Sequence, residues 1–225
     1  MNFKSEKMLL TNQDIEINKN TYLNLLRSTN KENIEDLIYW LETQTDIFYA
    51  PFNQYATPGS LVEHAINLCK QAMIIYNENY QGTNVARESE NDLTIEEVKF
   101  VALTLDISKI GCYVPVVKSA KDENGWYQYN SYEYNDNIPI NPCDKSYLFL
   151  RERNLDLTNN EVVGLIRGRD FGNEHSFRND IEKMSFYKAL REYPIVSIIN
   201  MADIFATVYM DRRDEQKTMM RIMTI

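Results

Sequence analysis

The chain is short of the residues that most often announce chemistry: it holds two histidines and three cysteines among 225 residues. Cys69, Cys112 and Cys143 form no C-x-x-C pair, and an odd, scattered set suits a reducing compartment better than a disulfide framework. Thiol chemistry is a poor lead. Basic charge is lacking too. A formal charge of −9 argues against gripping nucleic acid through a broad basic surface, while leaving room for a local cationic pocket. The opening MNFKSEKMLLTNQDIEINKN has no apolar core between basic residues and a small-residue cleavage site, so no secretory signal is read. No apolar run reaches the length of a membrane span: YPIVSIINMA covers about half of one and leads straight into Asp203. There is no internal repeat, low-complexity tract or linker, and GTNVARESEND reads as a loop. With 44% apolar and 25% charged residues, what remains is a globular protein, expected in the cytoplasm and away from membranes.

What is present is helical punctuation. In a capping box a hydroxyl accepts from the amide three residues on, and a carboxylate there reaches back. Ser60-Leu-Val-Glu63 predicts a helix to about Tyr76, Thr94-Ile-Glu-Glu97 one to about Lys109, and Thr158-Asn-Asn-Glu161 one to about Arg169. Pro194 opens another, to about Arg212. NKENIEDLIYWLETQ and NDIEKMSFYKALREY add two more with a period near 3.6. One stretch differs. In CYVPVVKSAKDENGWYQYNSYEYN, β-branched and aromatic runs flank Asp122-Glu-Asn-Gly125, which predicts a hairpin at about 112–134. Its tyrosines either pack over the helical core, the commoner use, or form a recognition surface. The expected layout is one structural domain: a helical extension at 1–45, the main body at 46–212 and a tail at 213–225.

Three polar side chains fall on helix faces that otherwise read as buried. His64 lies one turn from Leu61 and Leu68, Asp106 one turn after Ala102, and Asp203 between Ile199 and Ala206. Each alone is compatible with an ordinary core residue, and Asp106 has Lys109 three residues on. Desolvated carboxylates demand cations, from metal or from protein. An imidazole with two carboxylates is also a ligand set for Mn²⁺, Fe²⁺ or Mg²⁺. Spacing leaves both readings open.

DIFYAPFNQYATPGSLVEHAINLCK followed by ALTLDISKIG resembles the HD-domain phosphohydrolase superfamily, in particular its small phage and bacterial members. NPCDKSYLFL, GLIRGRDFG and YPIVSIINMADIFAT are similar, in order, to three further segments of that subgroup, so the resemblance runs over about 46–210. It implies an all-α, HD-domain-like bundle with one inserted β-hairpin. It also implies a degenerate metal set of His64, Asp106 and Asp203, because Leu105 stands where the family's paired histidine would be. The family's other histidines correspond to Pro142, to Arg169 or Gly168, and to Asn200. Isobutyl has no lone pair to donate, so a two-metal centre is not expected. One divalent ion, weakly held or absent, is the cofactor expectation, and His175 has no matching family position. The resemblance further implies a phosphate or ligand-binding set of Lys109, Asp144, Lys145, Arg167 and Arg169.

Three readings of function follow. The first is a catalytically impaired relative whose cationic pocket binds a phosphorylated small molecule such as a nucleotide. The second is an active single-metal phosphohydrolase acting on nucleotides. The third is a phage-type helical scaffold or protein-interaction module with a vestigial pocket, in which the cations merely neutralise the aspartates. A protein partner or a homo-oligomer is compatible with each, and a phage origin would place the protein in the host cytoplasm.

Overall fold

The computed structural model describes residues 10–53, 57–83, 92–122, 125–135, 140–169, 177 and 179–211. Helices account for most of them. In chain order they are α1 (Asn12–Arg27), α2 (Ile34–Thr43), α3 (Ser60–Ile75), α4 (Ile95–Thr104), α5 (Pro142–Arg151), α6 (Asn159–Arg167), α7 (Asp180–Glu192) and α8 (Pro194–Phe205). A two-stranded antiparallel sheet, β1 (Tyr113–Asp122) with β2 (Gly125–Tyr134), lies between α4 and α5. No single helix among the described residues is long and apolar enough to cross a membrane.

The central helix is α3. From Ser60 to Ile66 every side chain is buried, as are Leu68, Cys69 and Ala72, because α1, α4 and α8 all pack on it. A helix buried on most sides is apolar on most of its surface, which is how SLVEHAINLCKQAMII reads apart from Ser60, Glu63, His64, Asn67, Lys70 and Gln71. The core around it joins Tyr22, Leu26, Leu37, Leu41, Leu61, Leu68, Phe100, Leu103, Leu165, Phe186 and Ile199. Tyr22 carries a hydroxyl into this core and spends it on the carbonyl of Leu103 at 2.9 Å. That satisfies a polar group which would otherwise be costly to bury.

Two of the three predicted capping boxes form, at Thr94–Glu97 and Thr158–Glu161. They lie against each other. The Glu97 carboxylate accepts from the Thr158 hydroxyl at 2.6 Å and from the Asn160 side chain, and Lys31 pairs with the buried Glu161. The third box does not form. The N-cap of α3 is Gly59, at φ +79°, and the Ser60 hydroxyl instead accepts from the Phe52 amide at 2.9 Å. A Cβ at Gly59 would lie 2.8 Å from Ile15 Cγ1, so that junction is built around the missing side chain. A box at Thr11–Asp14 starts α1.

Both α3 and α8 end in a wider π turn, at Tyr76–Tyr80 and Ala206–Met210. α4 stops at Thr104, earlier than its sequence suggests, and a 3₁₀ turn follows at Ile107–Lys109. The Ser146 hydroxyl of α5 donates to the Leu105 carbonyl at 2.7 Å and accepts from the Ser108 amide at 3.2 Å, which fixes that change of path. The hairpin pairs in full register from Tyr113↔Tyr134 to Asp122↔Gly125. Of its tyrosines, Tyr113 at the foot of the ribbon is half-buried near Asp106, Tyr127, Tyr129 and Tyr132 are partly covered, and Tyr134 is exposed.

Candidate functional site

The break between α4 and the 3₁₀ turn puts Asp106 at φ −106°, ψ 10°, with its carboxylate turned inward, 4% exposed. The side chains of His64 from α3 and Asp203 from α8 meet it there. His64 Nε2 lies 3.0 Å from Asp203 Oδ1 and 3.5 Å from Asp106 Oδ2, within ion-pair distance of both carboxylates. The three side chains nominated from separate helices do converge.

A third carboxylate completes the ring's environment. His64 Nδ1 lies 2.7 Å from Asp211 Oδ2, and the Asn67 amide donates to Asp211 Oδ1 at 3.1 Å. The sequence reading missed Asp211. At the α-helical period it would sit roughly 80° round the helix from Asp203; the wider turn at Ala206–Met210 takes up that angle, and no simple periodicity announces it. Burial favours the neutral imidazole, but Asp203 and Asp211 outweigh it and raise the His64 pKa. Both ring nitrogens of His64 thus face carboxylates, which favours its charged form. The Phe52 ring lies over it with centroids 3.7 Å apart.

Two further cations close on the carboxylates. Lys109 Nζ lies 3.1 Å from Asp106 Oδ1 and 3.5 Å from the centre of the Phe52 ring. Arg169, just past α6, donates through both terminal nitrogens to the two oxygens of Asp106, and its Nη2 also lies 3.3 Å from Asp203 Oδ1. This is the planar, forked pairing that guanidinium offers and ammonium does not. Burial opposes ionisation of Asp106, yet Arg169, Lys109 and His64 hold its carboxyl well below the usual range. Asp203 is lowered as well, His64 and Arg169 prevailing over burial. Burial pulls Lys109 down to about 8, against the attraction of Asp106. Burial and the Asp106 charge push Tyr113, at the foot of the hairpin, up to about 12.

The cluster is layered. Asp106 is the innermost carboxylate, its side chain 5% exposed, while Lys109 and Arg169 lie over it at 16% and 23%. Asp106, Asp203 and Asp211 face Lys109, Arg169 and the His64 ring. The sequence reading named five groups for ligand binding, and the structure brings two of them, Lys109 and Arg169, to the cluster. Arg167 faces α7, 3.4 Å from the Ser185 hydroxyl. Asp144 is exposed on the first turn of α5. Lys145 is buried 3.2 Å from Cys112 Sγ and beside the Phe149 ring. Of the positions matched to lost histidines, Leu105 is buried core, Pro142 is exposed, and Asn200 donates to the Gly168 carbonyl at 3.3 Å. His175 lies outside the described residues, as do the side chain of Cys143 and residue 212, where the last helix was expected to end.

The donor set does not fit a divalent ion as it stands. Both oxygens of Asp106 are taken by Arg169, so a metal placed on them would meet the guanidinium at contact distance. Position by position, the guanidinium sits where the carboxylates' countercharge has to be. No family model, no curated protein sequence and no solved structure matches this chain.

Proposed function

We propose that the chain is a catalytically impaired relative of the HD-domain phosphohydrolases that binds a phosphorylated small molecule, such as a nucleotide, without a metal. One observation carries this reading: Arg169 bridges Asp106 and Asp203 beside His64, so the protein's own cation occupies the place that a divalent ion would need. With that ion goes the metal-bound water that would serve as nucleophile. Binding is what the remaining groups can do. Lys109 and Arg169 form the outer layer of the cluster, and each can turn a donor toward an incoming phosphate while staying on its carboxylate.

The direct pairing of Lys109 and Arg169 with Asp106 and Asp203 favours a second reading, a structural ion cluster with no ligand. Calorimetry of the full chain in EDTA against mono-, di- and cyclic nucleotides separates the two. The binding reading predicts saturable heat that EDTA leaves unchanged and that Arg169→Ala and Lys109→Met each weaken, with the helical circular dichroism retained. A folded parent giving no heat with any of the panel overturns it in favour of the structural cluster. Phosphate release that requires Mn²⁺ and is abolished by Asp106→Ala overturns it in favour of hydrolysis.

A further inference from the structure

The hairpin is out of keeping with the rest of the molecule. Among the described residues its ten cross-strand pairs are the whole sheet, and a two-stranded ribbon by itself is marginally stable in water. Among the described residues no strand pairs with either outer edge.

The two edges are not alike. β1 carries Pro115, which has no amide to offer, and Lys118 and Lys121, which are the usual means of blunting an exposed edge. β2 has none of these. From Trp126 to Asn130 it reads Trp-Tyr-Gln-Tyr-Asn, uncharged, free of proline and rich in the aromatics that favour strands. Trp126 is 75% exposed.

Charge points to the occupant. The chain carries −9, which sets copies of it against one another almost everywhere on the surface. The ribbon's two strands carry no net charge: Lys118 and Lys121 balance Asp122 and Glu133, and Lys118 lies 3.9 Å from Glu133. An antiparallel edge is also self-complementary about a two-fold axis. With that axis near Tyr129 and Asn130, Glu133 falls opposite the partner's Trp126, and no like charges meet.

We infer that the outer edge of β2 is a homodimer interface, where two copies join their ribbons into one four-stranded sheet ordered β1-β2-β2-β1. Pairing by an added strand draws its strength from main-chain hydrogen bonds, which the uncharged stretch 126–130 leaves unobstructed. The interface is independent of the cluster around Asp106.

Sedimentation velocity of the full chain over a concentration series tests this. The expected result is a reversible species at twice the 26.5 kDa of one chain. Gln128→Lys with Asn130→Lys, both exposed positions, places four ammonium groups beside the axis and should weaken dimerisation at least about tenfold with helical circular dichroism unchanged. Val117→Lys with Ser119→Lys puts the same charges on exposed positions of β1 and should leave the dimer in place. A chain that stays monomeric throughout, a dimer indifferent to the β2 lysines, or a dimer equally lost with the β1 lysines overturns the inference.

Discussion

Replacing Arg169 by alanine removes the forked partner of Asp106 and leaves a carboxylate, 4% exposed, with Lys109 and the His64 ring as its remaining partners. Breaking a buried ion pair from one side costs about 3–5 kcal/mol, most of it the burden of the charge left behind. Two features put this case at the lower end. Lys109 stays 3.1 Å from Asp106, and the Arg169 side chain is 23% exposed, so water can follow it in. The expected loss is about 3 kcal/mol, and the expected fall in Tm for a chain of this size is about 6–12 °C. Urea unfolding at neutral pH, followed by circular dichroism, measures it directly. Arg169→Lys restores the charge without the fork and should recover part of the loss. The acid limb offers a second check. Asp106 and Asp203 both titrate below their unfolded values, so their pairing stabilises the fold above those values and is lost as pH falls. Stability of the Arg169→Ala protein should therefore fall less steeply than that of the parent below about pH 5. Arg169→Ala unfolding within about 0.5 kcal/mol of the parent, the range of an ordinary surface change, would refute the reasoning.

Two further expectations rest on the same architecture. Asp211→Asn removes a carboxylate that holds the proton on His64 Nδ1, so the imidazole pKa read by NMR should fall; stability contributed by the raised pKa, present at low pH and lost as pH rises through it, should shrink accordingly. An unchanged titration would remove Asp211 from the cluster. Gly168→Ala would set a Cβ 2.5 Å from the Gly164 carbonyl oxygen and 2.8 Å from Ile199 Cγ2, so the turn that presents Arg169 has to shift; a loss of about 1–3 kcal/mol in urea unfolding is expected, and a neutral substitution would show the α6–α8 contact to be looser than it stands.

Much of the fold can be read from local chemistry, because the signals involved are local. The boxes at Thr94 and Thr158 form as residues three apart dictate, and the β-branched and tyrosine runs form their hairpin. Ser60 fails because the approach of Ile15 to Gly59, a contact between residues far apart in sequence, sets the start of α3. The site divides in the same way. His64, Asp106 and Asp203 are legible as polar groups on apolar faces. Asp211 is not, since a change in helical period carries it to the ring. Arg167 and Arg169 look equivalent in GLIRGRDFG, yet α6 ends at Arg167 and turns one toward α7 and the other onto Asp106. Which of two neighbouring cations meets a buried carboxylate depends on where the helix stops.

The claim that the protein's own guanidinium stands in for a metal is tested most directly by titrating Mn²⁺ into the metal-free chain under electron paramagnetic resonance, for the parent and for Arg169→Ala combined with Leu105→His. The account predicts no saturable site in the parent and one bound ion in the double variant, accompanied by thermal stabilisation. One equivalent of Mn²⁺ bound by the parent, and lost with Asp106→Ala, would contradict it.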